Sequence, residues 1–248
     1  VSRSEPQGPS YLSIPKELTF LPMREDGFPS AIELGIPRVG PPNPEDAKEV
    51  AERLIAAAHP VCVVSGSGRN PDSISALVEL AELLGLAVTE SALRAYISFP
   101  FDHPLYQAQS TVAEADALFV LDVEVPWAEG RNVAPPADAY IAAAGHDPAN
   151  LRVPTFEFTA NLRISADPLA TIKAVTEAAK ALLTDDDKAR IKARSEKLAT
   201  VSAARIADLI TEAEARSGDT PIDPLWLSYQ ISRAVDDNCI VLDDTLGP

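Results

Sequence analysis

Basic residues are scarce in this chain compared with acidic ones. The 248 residues include 21 lysines and arginines against 37 aspartates and glutamates, which gives a formal net charge of −16. Nucleic acids and anionic membrane surfaces are recognised through basic patches, so the charge balance argues against both kinds of partner. The sequence also lacks any apolar run close to the ~20 residues of a membrane-spanning helix.

Cysteine and histidine are rare as well, with two and three residues. Cys62 and Cys239 each belong to an apolar run, which indicates buried thiols rather than a disulfide. Such thiols fit a reducing compartment, and we expect a cytoplasmic protein. No spacing of histidine, cysteine and acidic residues is typical of a metal site, so no bound metal is predicted within this chain.

Apolar residues are plentiful, at 46% of the chain, which is enough for a sizeable core. Between positions 44 and 183, short apolar segments alternate with segments of helical periodicity. This alternation predicts an α/β fold, a Rossmann-like parallel sheet with helices on both faces. The predicted strands are Val61–Val64, Leu86–Thr89, Ala117–Asp122, Ala139–Ala143 and Leu162–Ile164, and the predicted helices are Pro44–Ala58, Pro71–Leu84 and Pro168–Leu183.

The regions on either side of this array have a different character. Residues 1–43 are rich in proline and glycine and indicate an extended linker, with one short strand expected at Tyr11–Pro15. Residues 184–220 show apolar residues at helical spacing among charges, which predicts a long connecting helix or a helix pair. Residues 221–248 combine a helix after Asp223 with an apolar strand at Cys239–Leu242, a pattern typical of the start of a further α/β domain.

The first strand of the array leads into a Gly66-Ser67-Gly68 turn, and a helical segment follows. Backbone N–H groups at such a turn bind phosphate in dinucleotide-binding folds, so Gly66, Ser67 and Gly68 are candidate nucleotide-binding residues. Pro71 stands where the usual Gly-x-Gly-x-x-Gly motif has its third glycine, and glycines also serve simply to make a tight turn. The sequence leaves both interpretations open.

Two loops after later strands carry further candidates. Trp127 and Arg131 lie in the loop after the third strand, at the sheet edge where this fold binds ligands, and could contact an adenine and a phosphate. They could equally pack against a neighbouring subunit. His146 and Asp147 follow the fourth strand, where an acidic residue often meets a ribose, although Asp-Pro is also typical of a turn.

An ordered set of short motifs resembles the central part of thiamine-diphosphate-dependent enzymes of the acetolactate synthase, benzoylformate decarboxylase and pyruvate oxidase group. Residues 8–17 resemble the segment that closes the first, pyrimidine-binding domain of the family, and residues 58–68 resemble the start of its middle domain. Residues 99–105, Phe-Pro-Phe-Asp-His-Pro-Leu, are similar to a loop of that middle domain. Residues 240–244 are similar to the first strand of the third, diphosphate-binding domain.

The resemblance implies a fragment with four regions. Residues 1–43 correspond to the end of the pyrimidine-binding domain and a linker, 44–183 to the central Rossmann-like domain, 184–220 to a helical linker, and 221–248 to the start of the diphosphate-binding domain. In the family, thiamine diphosphate and Mg²⁺ bind to residues of the first and third domains that this sequence does not include. The resemblance therefore implies no catalytic residue in this chain, which we expect to be inactive alone.

The parent enzyme implied by the resemblance is a carboligase or decarboxylase, similar to acetolactate synthase. In this family the cofactor attacks a 2-oxo acid and carbon dioxide leaves. A homodimer or homotetramer is expected. Middle domains of the family bind FAD, another adenine nucleotide or nothing, so a nucleotide-binding module and a structural, oligomer-forming domain are the alternatives. Residues 126–133 lack the Phe-Asp-Asp of flavin-binding synthases, which argues against FAD.

Overall fold

The computed structural model describes residues 2–5, 7–22, 29–30, 33, 35–91, 96–127, 133–151, 158–236, 238–239 and 241. The chain divides into two compact units, Val1–Leu198 and Ala199–Pro248. In the first unit the helices are α1 (Pro44–Ala56), α2 (Asp72–Leu84) and α3 (Pro168–Leu182), and the strands are β1 (Pro60–Val64), β2 (Ala87–Glu90), β3 (Ala117–Leu121), β4 (Tyr140–Gly145) and β5 (Leu162–Ser165).

The five strands form one parallel sheet in the order β2-β1-β3-β4-β5. The register places Val61 beside both Ala87 and Leu118. Every residue of β1, β2 and β3 is buried. Strands buried on both faces favour apolar residues at every position rather than at alternate ones, which is why β1 and β3 are continuous apolar runs, whereas β2 ends in the buried polar residues Thr89 and Glu90. The predicted α/β class with a Rossmann-like parallel sheet is confirmed, and α1, α2 and α3 share one face of the sheet rather than covering both.

Each face of the sheet has its own core. On one face, Cys62, Phe119 and Ala142 pack with buried residues of α1, α2 and α3. On the other face, Val63 and Val120 pack with Val112 of the 3₁₀ turn Gln109–Glu114 and with smaller contributions from Trp127, Phe158 and Leu198. The sheet is therefore enclosed on both sides, and its carboxyl edge is where polar residues collect.

Local sequence signals explain where the helices begin and end. Asn43 accepts a hydrogen bond from the Glu45 N–H at 3.1 Å, with Pro44 at the first position of α1. Asp167 starts α3 in the same way, accepting from the Ala170 N–H at 2.8 Å. Gly85 ends α2 with φ of 56°, a left-handed conformation that glycine adopts without strain.

The region at 184–220, for which the sequence predicts a long helix or a helix pair, contains one long helix. Helix α4 spans Asp185–Ala215, and the boundary between the two compact units falls inside it. Helix α5 spans Pro224–Ala234 in the second unit. None of the helices in the described ranges combines the length and apolarity needed to cross a membrane.

Two expectations from the sequence are wrong. Tyr11–Pro15 forms no strand, and its residues are exposed, with Tyr11 95% exposed, because no strand within the described ranges pairs with them. Cys239 is a free, exposed thiol rather than a buried one, whereas Cys62 is free and fully buried, and burial raises the pKa of its thiol. The rest of the strand expected at Cys239–Leu242 lies mostly outside the described residues.

Candidate functional site

The sheet order creates a crevice at the carboxyl ends of β1 and β3. From β1 the chain crosses to β2 on one side, and from β3 it crosses to β4 on the other, so the two connections diverge there. Ligands of open α/β sheets bind at such topological switch points. Here the crevice brings together the Gly66–Gly68 turn after β1, Asp122 after β3 and His146 after β4.

The N–H groups of the two glycines in this turn bind to the protein itself. Gly66 donates to the Asp122 carbonyl at 2.8 Å, and Gly68 donates to Ser98 Oγ at 3.0 Å. The next two N–H groups, of Arg69 and Asn70, close a 3₁₀ turn within the loop. A phosphate bound in the manner of a dinucleotide turn would have to displace these bonds.

The two glycines are required by close packing. A Cβ added to Gly66 would overlap the carboxylate of Asp122, and one added to Gly68 would overlap the carbonyl of Ile97. Both glycines therefore allow neighbouring loops to approach the turn more closely than any side chain would permit. This supports the tight-turn interpretation of the sequence motif, because the glycines are explained without a ligand.

Asp122 occupies an unusual place in the crevice. Its φ is 53°, in the left-handed region that residues other than glycine rarely adopt, and such positions cluster at functional sites. Burial raises the pKa of its carboxyl group, an effect that nearby Arg69 and His146 and a hydrogen bond from the His146 N–H reduce only in part. Its N–H donates to the Ala144 carbonyl at 2.7 Å, which fixes the loop to β4.

The amino-terminal segment contributes a second carboxylate. Glu5 Oε2 lies 3.1 Å from Arg69 Nη1 and 3.6 Å from His146 Nε2. Gln7 Nε2 donates to the other oxygen of Glu5 at 2.9 Å. No local sequence pattern indicates this arrangement, since Glu5 and Arg69 are 64 positions apart and only folding brings them together.

These groups surround a cavity of about 310 Å³. Three carboxylates line it, from Glu5, Asp122 and Asp167, together with the basic side chains of Arg69 and His146. Its polar lining includes buried hydroxyl groups of serine, so the cavity suits a small polar ligand better than an apolar one.

The lining does not fit the diphosphate of a dinucleotide. With Glu5 in place, the carboxylates would repel a multiply charged anion, and the two glycine N–H groups already have partners. Among the described residues, no group of three or more His, Cys, Asp or Glu side chains could hold a metal ion.

The other sequence candidates lie elsewhere. Arg131 is outside the described residues. Trp127 packs edge-on against Phe158, with ring centroids 5.4 Å apart, as part of the core on one face of the sheet. Asp147 accepts a hydrogen bond from the Leu151 N–H at 3.1 Å, and this local bond supports the interpretation that the Asp-Pro sequence starts a turn. Of the nucleotide-binding candidates predicted from the sequence, Gly66 and Ser67 line the cavity, and nucleotide binding by any of them stays a prediction.

Comparison with known proteins gives structural matches. No protein-family model matches the chain. One match is a Mycobacterium smegmatis protein described as a "putative thiamin diphosphate-dependent enzyme", with a TM-score of 0.47 and 28% identity over 57% of this chain and 28% of that one. Another is benzoylformate decarboxylase from Polynucleobacter necessarius, with a TM-score of 0.53 and 19% identity over 71% of this chain and 34% of that one.

The second match defines the fold. The chain spans about a third or less of the length of these two proteins. The chain has the Rossmann-like α/β fold of a segment of benzoylformate decarboxylase, as its resemblance to thiamine-diphosphate-dependent enzymes predicts.

Proposed function

We propose that this chain is the central part of a thiamine-diphosphate-dependent enzyme that acts on 2-oxo acids as a carboligase or decarboxylase of the acetolactate-synthase-like kind. The observation that carries the proposal is the parallel sheet in the order β2-β1-β3-β4-β5, in a chain that matches benzoylformate decarboxylase over 71% of its length. The ordered sequence motifs support the same assignment. Thiamine diphosphate and Mg²⁺ bind outside this chain in the proposal.

In this proposal the domain is a scaffold that fixes the segments joined to it. The contacts of Arg194 in α4 support this role. Its guanidinium donates to the carbonyls of Ala57 at 2.7 Å and Gly85 at 2.9 Å, and also to the Leu84 carbonyl. These carbonyls end α1 and α2, so one side chain ties the first part of α4 to two helices of the domain.

A nucleotide-binding module is the second candidate. The cavity of about 310 Å³ at the switch point favours it, whereas the engaged N–H groups of Gly66 and Gly68 favour the scaffold. Titration of the chain with FAD and ADP separates the two functions. The scaffold predicts no binding at millimolar nucleotide, and micromolar affinity would establish the module.

The enzymatic proposal is tested on the parent protein. We expect the full-length protein to release carbon dioxide from pyruvate or benzoylformate only when thiamine diphosphate and Mg²⁺ are both supplied, and to form a homodimer or homotetramer by light scattering. The present chain, assayed under the same conditions, should show no turnover. Turnover by the chain alone, or parent activity without thiamine diphosphate, would contradict the proposal.

A further inference from the structure

The switch-point cavity contains a charged contact that the proposed function does not use. Both carboxylate oxygens of Glu5 are bound: Arg69 Nη1 lies 3.1 Å from Oε2, and Gln7 Nε2 lies 2.9 Å from Oε1. His146 Nε2 is 3.6 Å from Oε2. A side chain from the amino-terminal segment is thus held in a crevice where this fold places its ligands.

Three buried polar atoms of the same cavity have no hydrogen-bond partner in the described chain: Ser67 Oγ, Ser73 Oγ and His146 Nδ1. Ser67 and Ser73 are 3% and 1% exposed, and the His146 side chain is 8% exposed. Buried polar atoms nearly always have partners, because each one gives up its hydrogen bonds to water. Their grouping around one cavity indicates a place for a polar ligand.

The other two carboxylates of the cavity are already engaged. Asp167 accepts the Ala170 N–H at the start of α3, and Asp122 accepts the His146 N–H. The ion pair of Arg69 is with Glu5, at 3.1 Å, and a guanidinium suits a carboxylate because it offers several donors in one plane.

We infer that this cavity is a binding site for a small carboxylate and that Glu5 occupies it as an intramolecular ligand. Arg69 supplies the charge, His146 lies beside it, and the hydroxyl groups of Ser67 and Ser73 are free to donate. Because the Glu5 carboxylate is tethered to the same chain, it competes at a high effective concentration and keeps external carboxylates out. This inference is independent of the proposed thiamine diphosphate chemistry.

Removing the Glu5 carboxylate should open the site. Glu5→Ala deletes a group of the size of acetate, so acetate is the probe. We expect acetate to bind this variant at least about tenfold more tightly than the wild-type chain, since prior occupancy lowers the apparent affinity in proportion. Titration at constant ionic strength, followed by NMR signals of the three histidines, measures both affinities and reports on His146.

The matched control is Glu17→Ala. It removes an exposed carboxylate from the same amino-terminal segment, in the 3₁₀ turn Lys16–Phe20, and should leave acetate binding at the wild-type level. Adding Arg69→Gln to Glu5→Ala should abolish the gain, because the charged partner is lost. Removal of residues 1–7 is a second way to empty the site and should reproduce the gain.

Three results would overturn the inference. These are equal acetate affinities for the wild-type and Glu5→Ala chains, both folded by circular dichroism; a gain that survives Arg69→Gln; and no gain when residues 1–7 are removed. Inorganic phosphate is titrated in parallel. Phosphate binding weaker than acetate supports a carboxylate site, and tighter phosphate binding overturns that assignment.

Discussion

Helices α3 and α5 begin alike and end in different surroundings. Each follows an aspartate cap and has proline at its first position: Asp167 accepts from the Ala170 N–H, and Asp223 accepts from the Leu225 N–H, both at 2.8 Å. Yet α3 buries six residues against the sheet and its helices, whereas none of the residues of α5, all of them described, is buried.

The difference shows that a helix start is a local property and helix stability is not. A capping aspartate contributes about 1 kcal/mol in either setting. Burial of one large aliphatic side chain contributes roughly 1.5–3 kcal/mol, and only α3 has this gain. The apolar side chains of α5 stay exposed instead, with Leu227 48% and Ile231 44% exposed.

Truncation of an apolar side chain should produce the largest difference in stability between α3 and α5. Ile172 of α3 is fully buried and Ile231 of α5 is 44% exposed. We expect Ile172→Ala to lower the free energy of unfolding by about 2–5 kcal/mol, because it leaves a cavity, and Ile231→Ala to change it by less than about 1 kcal/mol. Urea denaturation of both variants measures this, and similar losses would show that α5 is packed as α3 is.

A matched pair of glycines extends the comparison to the loops of the two units. Gly68 has no room for a Cβ, because the carbonyl of Ile97 lies in its way, whereas Gly218 in the second unit has nothing within 4 Å. Gly68→Ala should cost about 1–3 kcal/mol through overpacking, and Gly218→Ala should be close to neutral. Thermal unfolding of both variants is the measurement. A neutral Gly68→Ala would mean that the turn can shift, and the tight-turn interpretation would lose its support.

Removal of the N-cap aspartates should produce the smallest difference between α3 and α5. Asp167→Ala and Asp223→Ala each remove an N-cap acceptor and should each cost about 0.5–2 kcal/mol. In α3, packing holds the helix, so the loss is expected in the free energy of unfolding, with helix content unchanged. In α5, where burial adds nothing, the loss is expected as reduced helicity by circular dichroism. Loss of helicity in Asp167→Ala alone would reverse the comparison.

Much of the fold was predictable from the sequence because the sheet is buried on both faces. Continuous apolar runs such as Val61–Val64 and Ala117–Leu121 leave few alternatives to parallel strands enclosed by helices. The prediction of a strand at Tyr11–Pro15 was wrong, since apolar side chains form a strand only where a partner strand is available. The prediction that Cys239 is buried was wrong for a similar reason, because apolar sequence neighbours do not ensure burial.

The candidate site was predictable in part. The Gly66–Gly68 turn was identified because glycines at the end of a buried strand are a local signal. The role of each glycine was not predictable, since it depends on Asp122 and Ile97, which reach the turn from other strands and loops. The contact between Glu5 and Arg69 joins positions 64 residues apart, and no periodicity or spacing encodes such a pair.

By itself, the sequence determined the succession of strands and helices, their caps and the all-parallel sheet, because periodicity and capping act over a few neighbouring residues. Only the tertiary structure decided which polar groups meet at the carboxyl edge of that sheet. There, Glu5, Arg69, Asp122 and His146 share one cavity because the crossing connections bring separate loops together. Long-range charge pairing and burial are properties of that assembly, and they vary with distances that local sequence does not set.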